Sequence, residues 1–139
     1  MIRTLTIAAA AMFAGTALAQ DAAPKTLTIG DKAPQMDVQV MKGKLPAKLE
    51  DGTVQVVEFW ATWCGPCKAI GPYFEELAAK FPDVTFVKVD VDELDDVAAS
   101  CGISAMPTFQ LYSNGVMVKE MCGADKAKLE ALAIEAKEL

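Results

Sequence analysis

Two cysteines, Cys64 and Cys67, flank Gly65-Pro66, a spacing suited to thiol–disulfide exchange. With two residues between them, the second sulfur can reach back to the first. One thiolate can then attack a disulfide, and the other can displace it from the mixed disulfide that results. The pair stands where a β-branched, aromatic run at residues 55–60 (QVVEFW) gives way to a run with helical periodicity. A helix start presents unpaired backbone N–H groups and the positive end of the helix dipole. A thiolate held there is stabilised, which brings a cysteine pKa from about 8.5 towards neutrality. Cys64 is therefore the expected exposed attacker and Cys67 the expected resolving thiol.

Other readings of the pair fare worse. A zinc site needs four ligands, commonly as two paired motifs. The remaining cysteines, Cys101 and Cys122, form no second Cys-x-x-Cys, and the chain has no histidine. That absence also removes Cys–His dyads, histidine bases and histidine metal sites. A purely structural disulfide closing so short a loop would constrain little of the unfolded chain. No metal or other cofactor is expected; the redox group is the Cys64–Cys67 pair itself.

The elements that must position this pair read as follows. Residues 55–60 form a buried strand and residues 68–80 a helix, with Ile70, Phe74, Leu77 and Ala78 on one face. Pro72 should kink that helix, because proline removes a backbone donor. A second strand spans 85–90 and a short helix 93–100. Strands at 108–113 and 116–121 flank Asn114-Gly115, a strong hairpin signal. A helix over 125–139 closes the chain, with Leu129, Leu132, Ala133 and Ala136 on one face. Strands joined through a helix should run parallel by a right-handed crossover. The fold class is thus α/β: a central mixed β-sheet with helices on both faces. Before residue 51 the signal is weak, with room for a short strand near 27–29 or 36–41.

With these residues in view, the stretch Phe59-Trp60-Ala61-Thr62-Trp63-Cys64-Gly65-Pro66-Cys67-Lys68 closely resembles the active-site segment of thioredoxins. Met106-Pro107-Thr108-Phe109, Asn114-Gly115 and Gly123 also fall where that family has them. The resemblance covers roughly residues 54–139. It implies the thioredoxin fold and a protein thiol–disulfide oxidoreductase. It further implies that Pro107 follows a cis peptide bond, lies against the cysteines, and leaves the backbone of Met106 free to pair with a substrate strand. Trp63, Gly65, Pro66, Met106 and Gly123 would line the substrate groove, with Trp60 packed beneath it. The Gly65-Pro66 spacer resembles that of the reducing members of the family.

Glu58 departs from the family pattern, which usually has aspartate there. Its neighbours Val56, Val57, Phe59 and Trp60 are apolar, so a buried carboxyl with a raised pKa is expected. The resemblance implies that it serves Cys67 as proton acceptor and donor, with Lys88 nearby in support. A buried Glu58–Lys88 pair without a catalytic part is the competing reading. Cys101 reads as a small buried hydrophobe. Cys122, next to Gly123, reads as exposed, and a bridge between the two stays open.

Residues 1–19 carry Arg3, an apolar run over 5–14 and Ala17-Leu18-Ala19, the pattern of a cleaved secretory signal. The expected organisation is a signal at 1–19, a lead-in at 20–50 and a thioredoxin domain at 51–139. Loss of Arg3 would move the formal charge from −6 to −7. Such acidity argues against nucleic acid as a partner. The cleaved chain is expected to be periplasmic or secreted, without stable membrane insertion, and to act as a monomer. Gly30-Asp31-Lys32-Ala33-Pro34 and Glu58-Phe59-Trp60 resemble periplasmic TlpA-like disulfide reductases, although the short link at 81–84 lacks the insertion those proteins commonly carry. Peroxiredoxins share the entry segment, but their peroxidatic cysteine context is missing. The implied partners are disulfide-containing exported client proteins and a membrane electron donor. An oxidase or isomerase using the same cysteines, or a non-catalytic chaperone or assembly subunit, are the alternatives.

Overall fold

The computed structural model describes residues 27–33 and 52–139. Seven elements follow in order: β1 (Val54–Trp60), α1 (Gly65–Lys80), β2 (Thr85–Asp90), α2 (Asp95–Ser100), β3 (Thr108–Ser113), β4 (Val116–Cys122) and α3 (Lys126–Glu138). The strands make one sheet in the order β2-β1-β3-β4. β1 and β2 are parallel across the α1 crossover, with Glu58 opposite Lys88. β1 and β3 are antiparallel, as are β3 and β4. This is the mixed sheet that the element order predicts.

Alternation along β1 divides the core. Val56 faces α1 and α3, in a cluster with Ile70, Phe74, Leu77, Phe109, Leu111, Leu129 and Leu132. Phe74 anchors it, edge-on to Phe86 at 5.2 Å and tilted against Phe109 at 5.6 Å between ring centroids. Val57 and Phe59 point to the opposite face, where Val87, Val89, Tyr112 and Met117 pack with Ala98 and Cys101 of the α2 end. Because helices cover both faces, β1 is largely apolar, with Gln55 and the charged Glu58 as its buried polar residues.

The hairpin turn adopts positive φ at both central residues, 51° at Asn114 and 74° at Gly115. That geometry matches the twist of the flanking strands and suits Asn-Gly. β3 and β4 then slip register between Leu111 and Tyr112.

Three local expectations need correction. The first helix begins at Gly65, three residues before the expected start. Pro66 sits in its first turn, where a missing N–H costs nothing. The helix continues through Pro72, whose lack of an N–H deprives the Lys68 carbonyl of its helical donor. The second helix starts at Asp95 rather than residue 93. The strand expected near 27–29 is a turn instead: Asp31 N donates to Thr28 O at 3.0 Å. The Asp31 carboxylate also accepts from the Thr28 backbone at 3.0 Å and its hydroxyl at 2.8 Å. Such local side-chain bonds compete with strand pairing. Pairing comes just afterwards, where Gly30 N donates to Met117 O at 2.7 Å and Ala33 N to Gly115 O at 2.7 Å. The alternative strand at 36–41 lies outside the described residues, as does the segment 1–26.

Candidate active site

Cys64 is the N-cap residue of α1, with extended backbone at φ −79° and ψ 105°. Its sulfur accepts a hydrogen bond from Cys67 N at 3.2 Å. The two cysteines form a disulfide with Cα atoms 5.3 Å apart. The sulfur pair therefore occupies the helix start that the sequence indicates, where backbone N–H groups would hold a thiolate after reduction. One expectation is corrected: Cys64 is only 5% exposed, against 2% for Cys67. In this oxidised state the attacker is recessed because its sulfur turns into the helix start and packs with Ala61, Trp60 and Met106.

Three segments meet around the disulfide. Residues 61–67 carry the cysteines, and Met106 packs on them. The Met106–Pro107 bond is cis, as the resemblance implies. Pro107 O accepts from Gly123 N at 2.8 Å, tying the end of β4 to this turn, and Gly123 adopts a φ of 99° that favours glycine. Thr108 Oγ1 donates to Ala105 O at 2.7 Å, which fixes the approach to Pro107. Trp63 stands out from the surface at 67% exposure. Its indole Nε1 donates to Asp92 Oδ2 at 2.8 Å. Asp92 reads in the sequence as one more solvated acid, and no spacing rule links residues 29 apart.

Beneath the surface, Glu58 is fully buried, and neither carboxylate oxygen has a hydrogen-bond partner among the described residues. Lys88 Nζ approaches Oε2 at 3.7 Å, an ion-pair contact longer than a hydrogen bond. Burial pushes the Glu58 carboxyl up to about 7, while the Lys88 ammonium draws it back down. Lys88 also lies 4.8 Å from the Trp60 ring centroid, over its face, and within 4.0 Å of Glu75 Oε1. Trp60 is thus packed under the cysteine motif, as expected, and Lys88 joins it to Glu58. Glu75 and Gly71 escaped the sequence reading; their i, i+4 spacing on α1 places them on one face, but nothing in the chain marks that face as lying over Lys88.

Cys101 and Cys122 are free, the first buried and the second exposed. Tyr112 OH lies 3.9 Å from the Cys101 sulfur and donates to Gln110 Oε1 at 2.5 Å. Burial pushes the Cys101 thiol up to about 11. Among the described residues, no cluster of three or more Cys, Asp or Glu is arranged to hold a metal ion.

The thioredoxin family model matches residues 37–135. Thioredoxin-1 of Schizosaccharomyces pombe is 58% identical over 76 residues, covering 55% of this chain and 74% of that protein. Gallus gallus thioredoxin is 57% identical over 75 residues, 54% of this chain and 71% of its own length. Among solved structures, Fasciola hepatica thioredoxin superimposes with a TM-score of 0.61 at 42% identity, covering 63% of this chain and 84% of that one. Mitochondrial thioredoxin 3 of Saccharomyces cerevisiae, in its oxidised form, gives 0.58 at 43% identity, over 66% and 81%. With a cysteine pair capping α1, Met106 of a cis Met106–Pro107 bond packed on it and this breadth of similarity, the chain belongs to the thioredoxin family as a thiol–disulfide oxidoreductase whose active-site pair is Cys64–Cys67.

Proposed function

We propose that this thioredoxin is exported and works as a periplasmic protein-disulfide reductase, in the role that TlpA-like reductases fill. The observation that carries the reductase reading is the Cys64–Cys67 pair capping α1, together with a buried Glu58 on β1, the strand leading into that helix, that can hold a proton near neutral pH. The leader pattern of residues 1–19 supports export.

In the reduced protein the Cys64 thiolate attacks one sulfur of a client disulfide. A Cys64–client mixed disulfide forms, and the other client sulfur leaves as a thiolate that takes up a proton. Cys67 then loses its proton, with Glu58 as acceptor, and attacks the Cys64 sulfur. This forms the Cys64–Cys67 disulfide and releases the second client thiolate. Two electrons pass from the dithiol to the client. A membrane donor must supply two more before the next turnover.

Trp63 and the Met106–Pro107 segment present the client strand, with Gly123 at its border. Gly65 and Pro66 set the geometry of the pair and tune its potential. Client proteins are exported chains with disulfides to be opened.

The test is the reduction potential of the pair, measured by equilibrating residues 20–139 in glutathione buffers and following tryptophan fluorescence. A value near or below about −250 mV is expected of a reductase. A value above about −180 mV, in the range of isomerases and oxidants, would overturn this direction and make the chain a disulfide donor.

A further inference from the structure

The Lys88 ammonium is shared between two carboxylates of opposite character. Glu58 Oε2 lies 3.7 Å from it and is fully buried; Glu75 Oε1 lies 4.0 Å from it on a side chain that is 68% exposed. Lys88 itself is only 14% exposed. Its ammonium lies against α1 beside Gly71, where a Cβ would stand 3.6 Å from Nζ, in ordinary contact. Gly71 and Glu75 are one helical turn apart, so α1 presents a bare patch of backbone and then an acid directly over Lys88.

Among the described residues, few charges approach Glu58. β2 contributes Lys88 and α1 contributes Glu75. β3 sets Phe109 beside Glu58 in register, and α3 turns Leu129, Leu132, Ala133 and Ala136 to this side of the sheet. Lys88 is the cation that favours ionised Glu58, and whatever draws Lys88 away makes Glu58 hold its proton more tightly.

We propose that Glu75 is a positioning residue that draws the Lys88 ammonium outward towards α1 and so raises the proton affinity of Glu58. Glu75 gives the cation a solvated partner while Glu58 is protonated. When Glu58 ionises, the ammonium shifts its weight inward. The proton that Glu58 accepts from Cys67 is thereby met by movement of a neighbouring charge. This inference deepens the proposed function and rests on its reading of Glu58 as proton acceptor only for its consequence in catalysis.

The test is the titration of the Glu58 carboxyl in the oxidised protein, where Cys67 carries no proton, followed by ¹³C NMR and assigned with Glu58→Gln. Glu75→Gln is an exposed change that leaves the core intact. It should lower the proton affinity of Glu58 about two- to fivefold, the scale of a surface ion pair. In a Lys88→Gln background the same substitution should have less than half that effect, because the coupling runs through Lys88. An unchanged Glu58 midpoint in Glu75→Gln would overturn the inference. So would an equal shift with and without Lys88, which would leave only direct repulsion between the two acids. The pH profile of client reduction is read separately. If the Glu58 midpoint moves and that profile stays still, the acceptor role of Glu58 fails while the placement of Glu75 stands.

Discussion

Glu58 and Lys88 face each other in register across the parallel β1–β2 pair, with Nζ 3.7 Å from Oε2 and no hydrogen bond from any described residue to either Glu58 oxygen. A buried carboxylate held only by a loose ion pair is under-compensated, so its neutral form is favoured by burial. The fold therefore carries, within its core, a group able to take up a proton near pH 7.

The first prediction follows from that proton. The Glu58 carboxyl is raised in the folded state to about 7 from an ordinary 4.5. Below the ordinary value, folded and unfolded chains both hold the proton, and Glu58 costs nothing. Above the raised value both are ionised, and the full cost of the buried charge is present. Lowering the pH through this window should therefore stabilise the wild type relative to Glu58→Gln. The stability difference between variant and wild type should grow by on the order of 3 kcal/mol from pH 4.5 to pH 8. Urea unfolding of the oxidised proteins at several pH values reads it directly, and a difference that stays flat would contradict the buried, raised Glu58.

The second prediction separates the two cysteines. Cys67→Ser should leave Cys64 able to attack but unable to be released, so a client disulfide should accumulate as a mixed disulfide on Cys64. Mass spectrometry under non-reducing conditions would show it. Cys64→Ser should form no adduct and lose client reduction by at least about a hundredfold, since the thiolate is the nucleophile. An adduct on Cys67 in that variant would reverse the assignment.

Much of this was legible in the sequence, for physical reasons that differ by residue. The strand at 55–60, the Asn-Gly turn and the last helix follow from periodicity and turn chemistry, which act over a few neighbours. The cysteine pair followed from spacing and its place between strand and helix. The recessed position of Cys64 did not, because it depends on Met106, some forty residues away, packing over it. Trp63 with Asp92, and Glu75 with Lys88, likewise depend on how the crossover helix lies over the sheet, which local pattern does not encode. Glu58 stands out because a charge interrupts an apolar strand, whereas Glu75, the second acid on Lys88, reads like any solvated helix acid.

A third prediction concerns the surface tryptophan. Trp63 is largely exposed and held by one hydrogen bond to Asp92. Trp63→Ala should change stability by no more than about 0.5 kcal/mol, as surface substitutions do. It should weaken client reduction about three- to tenfold, the loss expected from removing one exposed aromatic contact. The reduction potential should move little. Insulin reduction and glutathione equilibration measure the two separately; an altered potential with normal client kinetics would place Trp63 in the redox centre rather than at the client surface.

The fourth prediction uses the two remaining thiols. Cys122 is exposed on the last strand, whereas Cys101 is buried with its thiol raised to about 11. In the oxidised native protein, iodoacetamide at pH 8 should label Cys122 and leave Cys101 untouched, because the thiolate is the reactive form and access is required. Denaturant should bring Cys101 labelling with the global unfolding transition. Native labelling of Cys101 without unfolding would mean that the α2 end opens on its own.

The last prediction tests how the approach to Pro107 is held. Gln110 is buried on β3, and its amide donates to Cys101 O at 3.0 Å and to Glu120 Oε2 at 2.6 Å. Cys101 ends α2 and begins the loop that returns to Met106–Pro107, so this one amide ties the loop's start to the sheet. Gln110→Leu removes both donors and the acceptor of the Tyr112 hydroxyl while filling the space, leaving the Cys101 carbonyl and the Tyr112 hydroxyl without that partner. A loss of about 1–3 kcal/mol is expected, the cost of an unsatisfied buried polar group. Because the far end stays fixed by Gly123 N to Pro107 O at 2.8 Å, the damage should concentrate in residues 101–105. Native-state hydrogen exchange should show faster opening there than in β1, whereas uniform acceleration across the sheet would mean that Gln110 supports the whole core rather than this loop.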